Sequence, residues 1–202
     1  MRLYLALISV FFLAVGAAAQ ILPLPTHIII NSQNTLEYIQ DRLTAQNTIE
    51  AKAATISSLI GAPKGNLKSV GNGKGGFSQE YERATLYTER KSTTAYAVNG
   101  AILSRYLALG GPKSVLGFPT SDWTPAGDNR GWYNTFSGGG AIYWTPQTDA
   151  HEIHGNIYAQ WSILGRERSW LGYPVTGEQP GGSGSGIERI NAFEHGFATW
   201  NT

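Results

Sequence analysis

A short phrase that occurs three times constrains this chain more than any other feature of its sequence. It reads Ile-Gly-Ala-Pro at residues 60–63, Leu-Gly-Phe-Pro at residues 116–119 and Leu-Gly-Tyr-Pro at residues 171–174. The glycines of successive phrases are 56 and then 55 residues apart. A near-constant period of this size indicates one supersecondary unit that is copied along the chain and stacks on its neighbours.

Each copy is predicted to contain a short amphipathic helix before the phrase. Three apolar residues with i, i+4, i+7 spacing mark one helix face, and a glycine suited to a left-handed C-cap follows them. The residues with this spacing are Ile102, Tyr106 and Leu109 before the second phrase, and Ile157, Trp161 and Leu164 before the third.

A β-hairpin is predicted after each phrase. A variable loop leads to an anchor aromatic (Tyr81, Phe136 or Phe193) and then to a short apolar run that is typical of a strand. The phrase itself is interpreted as the corner that sets the helix against the hairpin. The predicted fold is thus an α+β repeat domain of three ~55-residue units, each a short helix plus an antiparallel β-hairpin, with an N-terminal capping helix.

The predicted boundaries follow from composition. Residues 1–19 have a positive start, an apolar stretch and a small-residue cleavage site, which is typical of a secretory signal. An extended leader is expected at 20–33 and a capping helix at 34–60, with a capping box at Asn34 and one apolar face formed by Leu36, Ile39 and Leu43. The repeat domain is expected at 56–202, with units at about 56–99, 100–154 and 155–202. A variable loop is expected at 64–76.

The residues from 100 to 202 resemble LGFP repeats, a family named for this phrase. Its pattern, roughly G-x-I-x-x-x-W-x-x-L-G, L-G-x-P-x-(S/T)-(D/E) and F-x-G-G-x-I-Y-W, is matched by residues 155–165, 116–122 and 136–144. The resemblance covers about residues 56–202 and is weakest in the first copy. It implies a secreted or surface protein that associates with the cell wall, and it brings no catalytic residue with it.

Charge and cysteine content exclude several classes of function. After removal of residues 1–19, which contain one cation and no acid, 14 Lys and Arg face 14 Asp and Glu. This balance, without a local basic cluster, argues against binding to nucleic acid or to an anionic membrane. No membrane insertion is expected after signal cleavage. The chain has no cysteine, so it has neither a thiol nucleophile nor a cysteine zinc site.

The sequence gives little indication of a metal site or of a catalytic carboxylate pair. His151 and His154 are three residues apart in a predicted strand, so they point to opposite faces. Five carboxylates could serve a glycosidase: Asp122, Asp149, Glu152, Glu178 and Glu194. However, Asp122 and Glu178 are close equivalents in the loop after the phrase, which favours a role in the turn. We therefore predict no catalytic residue, no metal and no cofactor.

The aromatic residues are the most promising binding groups. A position that is apolar in every copy is expected to lie in the core. This pattern predicts core positions for Tyr87, Tyr143 and Trp200, which align with one another, for Trp161, which aligns with Tyr106, and for Trp170, which aligns with Val115 and Leu59. Trp123, Trp132 and Trp144 instead align with charged or polar residues in other copies, which predicts exposure. These three are the predicted ligand-binding residues, with Tyr133 and Asp122 as neighbours. The alternative, that they fill gaps between copies, stays open.

The sequence thus predicts a secreted, non-catalytic module that binds cell-wall or extracellular polysaccharide. Two alternatives stay open: a secreted protein-interaction or effector module, and a wall-active hydrolase. Self-association by edge-to-edge pairing of sheets is a further expectation.

Overall fold

The computed structural model describes residues 26–71, 75–183 and 186–201. The chain divides into two units, Met1–Tyr38 and Ile39–Thr202, and the features that matter for function lie in the second. The predicted secretory signal at residues 1–19 lies outside the described residues. Within the described ranges, no helix has the length and apolar character that crossing a membrane requires.

The first described elements are helices α1 (Thr26–Thr55) and α2 (Ser57–Ile60). The extended leader predicted for 20–33 is therefore wrong from residue 26 onward, and its earlier part lies outside the described residues. The predicted helix start at Asn34 is wrong too, because this residue lies within α1. The β-branched isoleucines before Asn34 favour a strand, but extending a helix costs far less than nucleating one.

The buried side of α1 is not the predicted one. Leu36, Ile39 and Leu43 are all exposed. The buried residues recur every fourth position instead: Asp41, Ala45, Ile49 and Ala53. Small side chains let the helix approach its neighbours closely, and the ion pair between Asp41 and Nε of Arg90 satisfies the one buried acid of the stripe. The prediction from the large apolar side chains Leu36, Ile39 and Leu43 therefore selected the exposed face of α1.

Three antiparallel sheets follow the helix, and each contains a central hairpin. The first has the order β1-β2-β3-β4, with strands at Pro63–Val70, Gly76–Tyr81, Ala84–Glu89 and Tyr96–Asn99. The loop predicted at 64–76 is thus wrong for residues 64–70, which form the edge strand β1. Its proline takes the first position of the strand, and the register is irregular between Lys64 and Lys68, as edge strands tolerate.

The second sheet repeats this order as β5-β6-β7-β8, at Thr124–Pro125, Trp132–Phe136, Gly140–Thr145 and Asp149–His154. The third has three strands in the order β11-β10-β9, where β9 is Gln179–Pro180, β10 is Arg189–Phe193 and β11 is Gly196–Trp200. The predicted hairpins correspond to β2–β3, β6–β7 and β10–β11. Strand β8 was predicted around His151 and His154, whereas the other flanking strands were missed because they are short or rich in polar residues.

Two further helices separate the sheets. They are α3 (Gly100–Ala108) and α4 (Gly155–Ile163), and each leads into a short 3-10 helix, at Gly111–Lys113 and Arg166–Arg168. The glycines after the two helices, Gly110 and Gly165, have φ of 105° and 103°, as the predicted C-caps require. The described chain is therefore a mixed fold of four helices and antiparallel sheets.

Helices and sheets alternate as layers around three apolar clusters. In the first, α1 and α2 pack on one face of the first sheet through residues such as Ile49, Ile60 and Leu86. In the second, α3 packs between the first and second sheets, against β3 and β4 on one side and β7 and β8 on the other. In the third, α4 packs between β7–β8 and β11. The second sheet is consequently covered on both faces.

The phrase forms a corner that only glycine fits. Gly117 has φ of 68°, and a methyl group added there would lie 2.5 Å from Oγ of Ser137 in the hairpin turn. That same Oγ accepts a hydrogen bond from the backbone N–H of Phe118 at 2.9 Å. The phrase therefore brings its backbone against the tip of its own hairpin, and Tyr106 of α3 donates its hydroxyl to the carbonyl of Gly117 at 2.5 Å.

A buried asparagine joins each later sheet to the one before it. Nδ2 of Asn134 donates to the carbonyls of Ala97, in β4, and Ser121, at 3.0 and 2.8 Å. Nδ2 of Asn191 donates in the same way to Glu152, in β8, and Thr176, at 3.3 and 3.1 Å. In the first sheet the corresponding residue is Gln79, which donates to the carbonyls of Lys64 and Gly65 in the neighbouring strand β1. These asparagines, which we call the amide clamps, fix the spacing between sheets.

Candidate functional site

Two of the predicted binding residues lie directly opposite each other. Trp132 in β6 and Trp144 in β7 are register partners, so their side chains share one face of the second sheet. Trp132 is 39% exposed. Trp144 is half-buried, because part of it packs against the cluster around α3. The two residues form an aromatic strip whose outer end is open to solvent.

The third predicted tryptophan has a different environment. Trp123 is half-buried and packs against the cluster between α1 and the first sheet. Asp122, beside it, accepts a hydrogen bond from the backbone N–H of Ala97 at 2.9 Å and forms an ion pair with Nζ of Lys52. Both residues therefore join the second sheet to the layers before it, which accords with the gap-filling alternative.

Tyr133 lies on the opposite face from the tryptophan strip. Its ring stacks on Tyr143 with centroids 4.9 Å apart and an interplanar angle of 13°, and both contact the cluster around α4. Alternation along β6 puts neighbouring residues on opposite faces, so Tyr133 cannot share a surface with Trp132. The structure thus brings together Trp132 and Trp144 and puts Tyr133 on the opposite face, whereas Trp123 and Asp122 contact the layers before the second sheet.

Comparison between copies misplaced Trp170. It is 68% exposed, although Leu59 and Val115 precede the other two phrases at the same position. Those two residues are exposed as well, so this position is apolar and faces solvent in all three copies. The first residue of each phrase (Ile60, Leu116 or Leu171) is buried, and the residue before it consequently faces solvent. The prediction was wrong because a recurring apolar residue was equated with a core residue.

Trp170 has a second exposed aromatic nearby. A methyl group added to Gly196 would lie 3.4 Å from the Trp170 ring, and the next residue, Phe197, is 66% exposed. Trp200, also predicted as core, is exposed and pairs with Arg189 on β10. Sequence comparison offered no signal for Phe197, which lies on the outer face of the last sheet.

An open groove lies between the first sheet and α3. It encloses about 950 Å³. Polar side chains of the sheet form one wall, among them Ser78 and Glu80, and Leu103 and Leu107 of α3 form the other. Lys113, in the 3-10 helix after α3, lies at its rim.

The candidate carboxylates are engaged in ion pairs and backbone hydrogen bonds. Nε and Nη2 of Arg105 hold buried Glu152 at 2.6 and 2.9 Å. Glu178 lies 2.9 Å from Nε of Arg189 and 3.4 Å from Nδ1 of His154. Such contacts are typical of ion pairs that stabilise a fold. A general acid, by contrast, needs a free carboxyl with a raised pKa.

The carboxylates of Glu194 and Asp149 also have hydrogen-bond partners within the protein. Arg130 donates two hydrogen bonds to Glu194, at 2.5 and 3.1 Å, and these bonds hold the pKa of Glu194 below its ordinary value. Burial opposes this shift only in part. Asp149 accepts the backbone N–H of Ala150 at 2.8 Å.

The described residues contain no cluster of His, Asp or Glu that could hold a metal ion. His151 and His154 occupy positions of opposite parity in β8, and so lie on different faces of the sheet.

Comparison with known proteins gives a family. No curated protein matches the chain. The family model for the LGFP repeat matches residues 60–114 and 116–169, which together are 109 of the 202 residues. Each match begins at a phrase and runs through the helix that follows the sheet. The chain therefore belongs to the LGFP repeat family and contains two tandem repeats of it.

Proposed function

We propose that this protein is a secreted, non-catalytic module that binds cell-wall or extracellular polysaccharide. The observation that carries the proposal is the strip of Trp132 and Trp144 on one face of the second sheet, with its outer ring open to solvent. A flat, partly exposed indole offers a large apolar face with a polar N–H at its edge. Sugar rings, which have apolar faces and polar rims, match such a surface.

Rigidity of the strip supports the proposal. The second sheet is covered on both faces, and Asn134, two residues after Trp132, is fully buried and clamps the sheet to its neighbour. Trp144 is fixed by its contacts with the cluster around α3. Binding would therefore order few side chains, which favours affinity.

The carboxylate contacts support the non-catalytic part of the proposal. Glu152, Glu178 and Glu194 each have an arginine partner, and Asp122 has Lys52. Removing these acids would break ion pairs that hold the fold together, which supports a structural role for them.

We also propose that the third phrase and the third sheet, which follow the two matched repeats, form a third, divergent repeat. The third phrase forms the same corner, with Gly172 at φ of 72°, and Asn191 repeats the amide clamp. Secretion is proposed from the composition of residues 1–19.

A pull-down with insoluble polymers tests the function. Residues 20–202 would be incubated with chitin, β-glucan, cellulose, peptidoglycan and arabinogalactan-type material, and the retained fraction measured. The informative variant is Trp132→Ala, because this ring is the most exposed of the strip and its loss leaves the core intact. The matched control is Trp170→Ala, an exposed tryptophan on another part of the surface.

Retention on one polymer that Trp132→Ala abolishes and Trp170→Ala leaves unchanged would support the proposal. Equal retention of wild type and Trp132→Ala would refute the strip as the site. A lack of retention on every polymer would refute polysaccharide binding itself.

A protein-interaction module is the second candidate, and exposed aliphatic residues favour it. Leu107, Ile163 and Leu164 lie at the ends of α3 and α4 and are all exposed. Contiguous exposed apolar side chains, such as the adjacent Ile163 and Leu164, are typical of protein-binding surfaces. Capture of a purified protein that free oligosaccharides do not displace, and that Leu107→Ser weakens, would favour this candidate.

A further inference from the structure

The groove between the first sheet and α3 exists because two positions carry small or aliphatic side chains. At the next junction, between the second sheet and α4, the equivalent positions hold Tyr133 and Tyr158, and both rings pack into the third cluster. In the groove these positions are Ser78 and Leu103. The volume that two tyrosine rings occupy at one junction is thus open to solvent at the other.

The rim of this groove has an excess of positive charge. Four cations line it (Lys64, Lys68, Arg83 and Lys113) against two carboxylates (Glu80 and Glu82). Lys68 pairs with Glu80 at 2.5 Å. Nε and Nη2 of Arg83 donate to the carbonyls of Leu59 and Ser58, both at 2.8 Å.

Two of the four cations stay unpaired. Among the residues that the structure describes, no ion pair involves Lys64 or Lys113. One lies on the edge strand β1 and the other follows α3, so they face the groove from its two walls. An anion between them would meet two ammonium groups without displacing an existing partner.

We infer that this groove binds a segment of an anionic polysaccharide, with Lys64 and Lys113 contacting its carboxylate or phosphate groups. The inference rests on the proposed function and deepens it by naming a ligand class. The volume of about 950 Å³ lies at the upper end of the range for small-molecule sites, about 300–1,000 Å³, which suits several sugar units. Leu103 and Leu107 supply an apolar wall that suits the apolar faces of sugar rings.

Binding to soluble polymers tests this inference. Affinity electrophoresis would compare polygalacturonate, which carries carboxylates, a phosphorylated mannan, and neutral dextran. The variants are Lys64→Ala and Lys113→Ala, with Lys91→Ala, which lies outside the groove, as the control for loss of one positive charge. A further variant, Leu103→Tyr, introduces the residue found at the next junction and fills the groove without changing its charge.

We expect an anionic polymer to bind more tightly than dextran. Lys64→Ala, Lys113→Ala and Leu103→Tyr should each weaken this binding about three- to tenfold, whereas Lys91→Ala should not. Preference for polygalacturonate or for the mannan identifies the anionic group. Equal binding of dextran and both anionic polymers, or an equal effect of Lys91→Ala, would overturn the inference.

The failure of the inference is separable from that of the proposed function. If a neutral polymer is retained and only Trp132→Ala abolishes it, the groove has no role while polysaccharide binding stands. If no polymer is retained by the wild type, both fail together. Thermal unfolding of each variant verifies that lost binding is not lost folding.

Discussion

The amide clamp at Asn134 should be one of the most sensitive positions in the protein. The side chain is fully buried, and its Nδ2 bridges a carbonyl of the first sheet, at Ala97, to one of its own loop, at Ser121. Asn134→Ala removes both hydrogen bonds at once. It also leaves two carbonyls between the layers without this donor.

The expected loss of stability follows from these contacts. A net hydrogen bond contributes about 0.5–1.5 kcal/mol, and a buried polar group left without its partner costs about 1–3 kcal/mol. Oδ1 of Asn134 has no partner in the structure, so its removal offsets part of the cost. We therefore expect Asn134→Ala to lower the free energy of unfolding by about 2–4 kcal/mol. The equivalent change at Asn191, whose hydrogen bonds are longer, should cost less.

Urea unfolding followed by circular dichroism measures both values. Asn134→Asp is the informative companion variant, because it keeps the size but turns a carboxylate oxygen toward two carbonyls. It should be less stable than Asn134→Ala at neutral pH. A loss below about 0.5 kcal/mol for Asn134→Ala, or an aspartate variant as stable as wild type, would refute the clamp.

Three further predictions concern the corner, an ion pair and the tryptophans. Gly117→Ala should cost about 2–4 kcal/mol in urea unfolding, against about 1–2 kcal/mol for Gly139→Ala, which shares a positive φ but has free space around it. Glu194 has a lowered pKa, so its contribution is present above its unfolded pKa of about 4.3 and is lost as the pH falls through the folded value. Glu194→Gln should therefore be less stable than wild type at pH 7, and the two should converge in acid; a constant difference would contradict this. Trp161→Ala should cost about 3–5 kcal/mol and Trp170→Ala less than about 1 kcal/mol by thermal unfolding, because one ring is buried and the other exposed.

The period of the phrase predicted a repeat fold, the motifs around it carried the resemblance to the family, and local patterns predicted the helices before the later phrases and the hairpins. These features depend on local patterns, such as the spacing of Ile102 and Tyr106 and the glycine at 110. The edge strand β1 was not predictable in this way. Strand β1 contains lysines and a proline, and its conformation is decided by pairing with β2, which no local pattern reports.

The surface was harder to predict than the fold. Comparison of copies correctly indicated that Tyr106, Tyr143 and Trp161 are buried. It failed at Trp170, since a position can be apolar in every copy and still face solvent. It also did not assign faces: Trp132 and Tyr133 are adjacent in the sequence, and strand alternation puts their side chains on opposite faces of the sheet.

The amide clamps give the array a direction. Asn134 and Asn191 each donate to a carbonyl of the preceding sheet, whereas Gln79, in the first of the described sheets, donates to a carbonyl of the neighbouring strand β1. A unit of this kind is therefore not interchangeable between the two ends. A duplicated copy keeps the interlayer hydrogen bond of its asparagine only when another sheet precedes it in the chain. A copy placed before the first described sheet would need the longer side chain of glutamine at this position to reach its own edge strand.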